Sequence, residues 1–178
     1  MHPRFGTRNF ILPLLNGVYL EVVEPLDHPA TDKAPFGRAV KARSEAGGGW
    51  LAWVVSVDDI STVEARIGRS AVLGQRRRPD GMVLSWKQIG VLDMLDDPAL
   101  PFFIQWLGEP RDHPSMGAGH KVFLDRLEIA GDPQRVSEWL GLSVEGPLAD
   151  VKVEWVGING NPGLVAVQFA TPHGPVRI

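Results

Sequence analysis

An acid in the middle of an apolar run is the first candidate for chemistry: Glu21, in NGVYLEVVEP at residues 16–25. If the run is a strand, side chains alternate, and Glu21 shares a face with Tyr19 and Val23 while Val18, Leu20 and Val22 take the other. A carboxylate so placed is a metal ligand, a ligand-binding group, or a charge at the open side of a sheet paired with an arginine or with water. Two later stretches have a similar shape. YLEVVEP at 19–25, FIQWLGEP at 103–110 and VAVQFATP at 165–172 each carry an apolar pair, then an acid or amide, then a closing proline. Gln105 and Gln168 thereby become the counterparts of Glu21, amides able to donate to and accept from a neutral ligand.

Cationic and aromatic candidates follow. Arg76, Arg77 and Arg78 form a run before Pro79-Asp80-Gly81, and strand alternation turns one or two of these guanidiniums inward. A planar guanidinium fork in a cleft suits a carboxylate or phosphate, and Arg78 is the choice of the three. Arg126, in LDRL, is either a second such anchor or the partner of Glu21 or Glu154 in an ion pair. Six Trp against one Tyr is an unusual ratio. Trp53, Trp86 and Trp106 are candidate pocket walls, whereas Trp139 and Trp155 read as helix–sheet core.

Other chemistry is excluded or weak. With no cysteine there is no disulfide, thiolate catalysis or Cys-ligated metal. His2, His28, His113, His120 and His173 all lie beside Pro or Gly in loops, without HxH or HExxH spacing. His113 and His120, with Asp112 nearby, could bind a metal adventitiously. No GxSxG elbow or Walker A motif is present, and GAGHKV at 117–122 precedes a strand instead of following one, unlike a dinucleotide fingerprint. A net charge of −3 argues against nucleic acid as a partner. No run approaches a membrane span and the opening residues lack a signal-type apolar core, so a cytoplasmic protein is expected.

The elements that must hold these residues can be read from turns and periodicity. Residues 8–15 and 18–24 form a β-hairpin about Asn16-Gly17. Residues 26–33 read as loop, and 35–46 as a helix with Pro35 at its start and three glycines after it. WLAWVVSV at 50–57 is a strand, followed by a helix with Ile60, Val63 and Ile67 on one stripe. Residues 69–81 are polar and end in a Pro79-Asp80-Gly81 turn, and the basic run within them is either a solvated loop or alternates as a strand. Residues 82–95 read as one strand or paired strands about Gly90, and 100–107 as another strand. A Gly/Pro/His linker over 108–120 leads to a strand at 122–130, a helix at 132–141, and strands at 151–158 and 164–171 about the turn Asn159-Gly160-Asn161-Pro162-Gly163.

That order contains a repeat. Residues 50–68 overlie 123–141 without a gap, matching Leu51 to Leu124, Asp59 to Asp132, Val63 to Val136 and Gly68 to Gly141. The shared Asp reads as a helix cap and the shared Gly as a C-terminal stop. One domain over 1–178 is therefore expected, built from submodules 1–33, 50–110 and 121–173. The first lacks an opening strand and helix, which an upstream segment or a partner chain would supply.

GTRNFILPL with YLEVVE, then RRRPDGMVLSW, LPFFIQW and HPS, is similar to the glyoxalase-like domain branch of the vicinal oxygen chelate superfamily, over most of residues 2–170. The resemblance implies an α+β fold of repeated βαβββ modules, with a curved, mainly antiparallel mixed sheet around a cleft. It implies a small oxygenated metabolite as substrate and lyase, isomerase or dioxygenase chemistry, often with a divalent metal. Some relatives only bind and sequester a ligand, and a non-catalytic binding protein is the alternative here. Glu21 matches the family's carboxylate ligand. The family's histidine position reads Trp53 in the middle module and Arg126 in the last, and Gln105 and Gln168 stand where further carboxylates would be. This chain alone offers too few ligands for the metal, since a tight site needs about three or more. The expected partners are a small-molecule ligand and a second copy in a homodimer, with no nucleic acid and no membrane.

Overall fold

The computed structural model describes residues 5–78, 80–144, 148–157 and 160–178. His2, Pro79 and Asn159 lie outside the described residues. Strands β1 (Thr7–Pro13) and β2 (Tyr19–Pro25) form the expected hairpin, in antiparallel register from Thr7↔Pro25 to Pro13↔Tyr19. Asn16 and Gly17 take φ of 60° and 74°, the left-handed pair that lets a tight turn follow the strand twist. The expected loop after β2 contains a short helix, α1 (Pro29–Lys33), whose N-terminus is capped by the His28 ring. Thr31 in α1 is 2% exposed, and its hydroxyl lies 2.7 Å from the Gly6 carbonyl and 2.8 Å from that of Leu26. One side chain thus ties the two open ends of the hairpin together. Helix α2 (Pro35–Glu45) follows as the proline and glycine signals indicate.

The middle unit runs β3 (Val54–Ser56), α3 (Ser61–Ile67), β4 (Val72–Arg77), β5 (Val83–Ile89), α4 (Val91–Asp96) and β6 (Phe102–Leu107). Its strand order is β3-β6-β5-β4, with β3 parallel to β6 and the other pairs antiparallel. The last unit runs β7 (Phe123–Ala130), α5 (Pro133–Leu140), β8 (Lys152–Trp155), β9 (Gly163–Thr171) and β10 (Gly174–Arg177). Its order is β10-β9-β7-β8. The last unit is βαβββ in sequence and the middle unit is the same with helix α4 set before its final strand, but the first strand lies at the sheet edge in the middle unit and inside the sheet in the last. The chain is therefore a mixed α+β fold of the expected kind.

Three further readings change. The polar arginine segment is strand β4, paired along its length with β5. The apolar residues after Gly90 form helix α4 instead of a second strand, because Gly90 adopts φ 96° and turns the chain out of the sheet. The chain also closes with β10, which pairs with β9.

The repeat holds at the level of atoms. Asp59 accepts from the Ser61 amide at 2.9 Å and Asp132 from the Gln134 amide at 2.9 Å. Gly68 and Gly141 end their helices at φ 72° and 69°. Val63 and Val136 are both fully buried. The core joins the helix-covered faces of the two larger sheets: Ile60, Val63, Ile89 and Phe103 meet Leu127, Ile129, Val136, Val167 and Phe169. With one face of the middle sheet committed to this core, strand alternation leaves the other free to meet the hairpin.

Candidate functional site

The free face of the middle sheet carries Gly74 and Arg76 on β4, Trp86 and Gln88 on β5, and Trp106 on β6, with Gly74↔Trp86 and Trp86↔Trp106 directly opposite. Gly74 is needed here. A Cβ on it would stand 2.3 Å from Trp86 Cε2, so only glycine lets the indole lie across β4. The Trp86 N–H donates to Gln88 Oε1 at 2.7 Å. The hairpin presents Tyr19 and Glu21 to this face. Tyr19 packs edge-on against Trp106 at 6.3 Å between centroids, and Trp106 lies 5.3 Å from Trp86. His113, just past β6, closes the group at 5.7 Å from Trp106 and 5.9 Å from Tyr19.

Glu21 stands at the polar end of this aromatic wall. The Asn9 side-chain amide donates to its carboxylate, and Arg76 donates to Asn9 Oδ1 at 2.6 Å. Glu21 is exposed to solvent, with Asn9 and Arg76 at its side. Burial pushes its pKa up, while the Asn9 hydrogen bond and the Arg76 charge oppose the rise. Tyr19 is likewise pushed well above the usual phenol range, first by burial and then by the Glu21 charge. Its hydroxyl lies beside the Trp106 N–H, a buried donor that forms no hydrogen bond of ordinary geometry among the described residues. Burial holds His113 below the usual imidazole range. A carboxyl with a raised pKa, a guanidinium and an imidazole with a lowered pKa thus stand around one aromatic group, a set suited to holding an oxygenated ligand and moving a proton on it.

Of the residues named from sequence, this group gathers Glu21, Arg76, Trp86, Trp106 and His113. Gln105 turns to the opposite face from Trp106, where it donates to the Asp58 carbonyl at 2.6 Å and accepts from the Ile60 amide at 3.3 Å. It fastens β6 to the start of α3. Trp53 is 6% exposed and donates to the Ala99 carbonyl at 2.9 Å, so it is part of the core. Arg126 and Gln168 face each other across β7 and β9 in the last sheet. Arg126 is ion-paired with Glu154, one of the two partners expected for it, and Gln168 donates to Asp125 at 2.8 Å. Arg78 lies beyond the end of β4, exposed and 3.4 Å from Asp80, whereas Arg76 is the member of the run that turns inward. Asn9, Gln88 and Ser115 are site residues that the sequence reading passed over. Counting back from each closing proline gives a better signal for β6. Four residues before Pro25, Pro110 and Pro172 stand Glu21, Trp106 and Gln168, because Leu107-Gly108 adds a residue to the middle stretch.

These residues do not fit a resident divalent metal. Beside Glu21 stand an amide and a guanidinium, and the latter repels a cation. Among the described residues no group of three or more His, Asp or Glu is arranged to hold an ion. A separate hollow of about 390 Å³ lies among α3, α4 and α5. Its guanidiniums are already engaged, Arg69 with Asp93, Arg135 with Asp97, and Arg66 with the Trp139 carbonyl.

Among the described residues no helix is long and apolar enough to cross a membrane. Comparison with protein families matches residues 1–143 to a model described as a glyoxalase-like domain. No curated protein matches the chain, and no solved structure matches it.

Proposed function

This chain belongs to the glyoxalase-like domain family, and from that premise we propose that it binds a small oxygenated metabolite between the hairpin and the middle sheet and transfers a proton on it. Tyr19, Trp86 and Trp106 form the apolar wall. Glu21 is the acid–base group, and Arg76 supplies fixed positive charge toward an oxygen that becomes negative as the proton leaves carbon. The reaction class is isomerase- or lyase-like, and no step passes through a metal. The observation that carries this reading is the placement of Glu21: reached by solvent and linked through Asn9 to Arg76.

A second reading, binding without turnover, draws support from the tight ring cluster of Tyr19, Trp86, Trp106 and His113, which suits a sequestering pocket. One pair of measurements separates the two. Trp fluorescence reports ligand capture across a panel of small hydroxycarbonyl compounds, hydroxyacids and aromatic diols, and turnover is followed on the compounds that bind. With Glu21→Gln, proton-transfer chemistry retains capture and loses turnover. Capture without turnover by the unaltered protein supports sequestration, and an unresponsive panel contradicts both.

A further inference from the structure

His113 stands at the edge of the cleft, and its side chain is held in a way that dictates where its proton sits. The ring follows a single 3-10 turn over Pro110–Asp112, and the next residues fold back so that the Met116 amide donates to the His113 carbonyl at 2.9 Å. This turn carries Ser115 beneath the imidazole. The Ser115 hydroxyl lies 2.7 Å from His113 Nδ1, and the Ser115 backbone amide donates to the same nitrogen at 3.2 Å.

The two contacts differ in what they imply. A hydroxyl can donate or accept, so the first fits either tautomer. A backbone N–H can only donate, so Nδ1 must offer its lone pair, and the proton of the neutral ring belongs on Nε2. The hydroxyl then completes the arrangement by donating as well. A ring flip would lose both contacts, and edge-on packing against Tyr19 and Trp106 opposes it. Ser115 is 9% exposed and buried beneath the ring. Nε2 has no hydrogen-bond partner among the described residues and is not among the buried polar atoms that lack one, so that edge remains open.

We propose that Ser115 is a positioning residue that fixes His113 as the neutral Nε2–H tautomer, presenting a hydrogen-bond donor at the cleft edge to an acceptor oxygen, such as a carbonyl or carboxylate, of the bound molecule. The identity of the acceptor rests on the ligand-binding reading of the cleft. The tautomer does not, because it is a property of the free protein.

Long-range proton–nitrogen correlation spectra of the ¹⁵N-labelled full chain, without ligand, read both ring nitrogens. The expected result is an unprotonated-type Nδ1 and a protonated-type Nε2 for His113 near neutral pH. Ser115→Ala loses the hydroxyl and keeps the backbone N–H, so it should move both nitrogens part of the way toward an average with Nε2–H still the major form, and Ser115→Thr, which keeps the hydroxyl, should restore the full pattern. A protonated-type Nδ1 in the unaltered protein overturns the proposal, even if Ser115→Ala fails to fold. Ring shifts unchanged in Ser115→Ala, or lost equally in Ser115→Thr, overturn the role of the Ser115 hydroxyl. A cleft that captures nothing while His113 shows the expected pattern counts against the functional reading and leaves the tautomer standing.

Discussion

Asn9 stands between Arg76 and Glu21, donating its amide N–H to the carboxylate and accepting from the guanidinium at 2.6 Å. The amide orients both charged groups and keeps them from collapsing into a closed ion pair. Its hydrogen bond also opposes the rise that burial imposes on the Glu21 pKa. Asn9→Leu should therefore raise that pKa further, as read from the carboxyl carbon shift in an NMR titration. A fall would mean that Arg76 had taken over the carboxylate directly.

Glu21 itself makes stability depend on pH. Its folded pKa is raised above the ordinary glutamate value, chiefly by burial, so the folded chain holds the proton more tightly than the unfolded chain. The resulting stabilisation is fully present below the ordinary value and is lost as pH rises through the folded one. Glu21→Gln keeps an acceptor for Asn9 and removes the titration. Relative to the parent, its melting temperature should improve as pH rises from acid toward neutrality. A difference that stays constant with pH would contradict this.

Adjacent residues on β6 should behave oppositely. Gln105→Ala removes two hydrogen bonds at the start of α3 and should cost about 1–2 kcal/mol of stability while leaving ligand capture unchanged. Trp106→Ala removes ring contacts with Tyr19, Trp86 and His113 and should weaken capture about tenfold, equivalent to about 1.4 kcal/mol. Urea melts and fluorescence titrations, run on both variants, check the contrast.

Thr31 lies remote from the cleft and yet fixes the hairpin that carries Tyr19 and Glu21. Thr31→Val leaves the Gly6 and Leu26 carbonyls without its hydroxyl and should cost about 1–2 kcal/mol. That corresponds to roughly 2–8 °C in melting temperature for a chain of this size. Full retention of the melting temperature would show that the hairpin ends are held by other contacts.

The outer face of the hairpin carries Phe10, Leu12 and Val22 at 60%, 44% and 56% exposure. Phe10 and Val22 stand directly opposite each other, and a run of apolar side chains on a two-stranded ribbon calls for cover. A homodimer formed through this face is the expected state, and Phe10→Glu should shift light-scattering mass toward the monomer. A monomeric parent protein would contradict it.

The hairpin, the two βα units and their caps were legible because each is written in local signals: Asn16-Gly17, Asp59 and Asp132, Gly68 and Gly141. Strand β4 was hidden because its arginines look like a solvated loop, although Arg76 turns toward Asn9. Helix α4 was hidden because a short apolar run does not declare its period. The cleft was legible at Glu21, Trp86 and Trp106. Gln105 misled, because its resemblance to Glu21 was judged by residue type and not by strand parity, and one inserted residue reverses the face. Ser115 was marked only as part of the HPS stretch and not as a site residue, since its role depends on a turn that places its backbone amide under His113.

Proton transfer by Glu21 is tested most directly by solvent deuterium incorporation into the compounds the cleft captures, followed by proton NMR with a chelator present throughout. Incorporation at the carbon beside the oxygenated group is expected with the unaltered protein. It should fall by about 100-fold or more with Glu21→Gln, the scale of a positioned general base. Incorporation that Glu21→Gln leaves intact, or that appears only when a divalent metal is added back, would contradict the assignment.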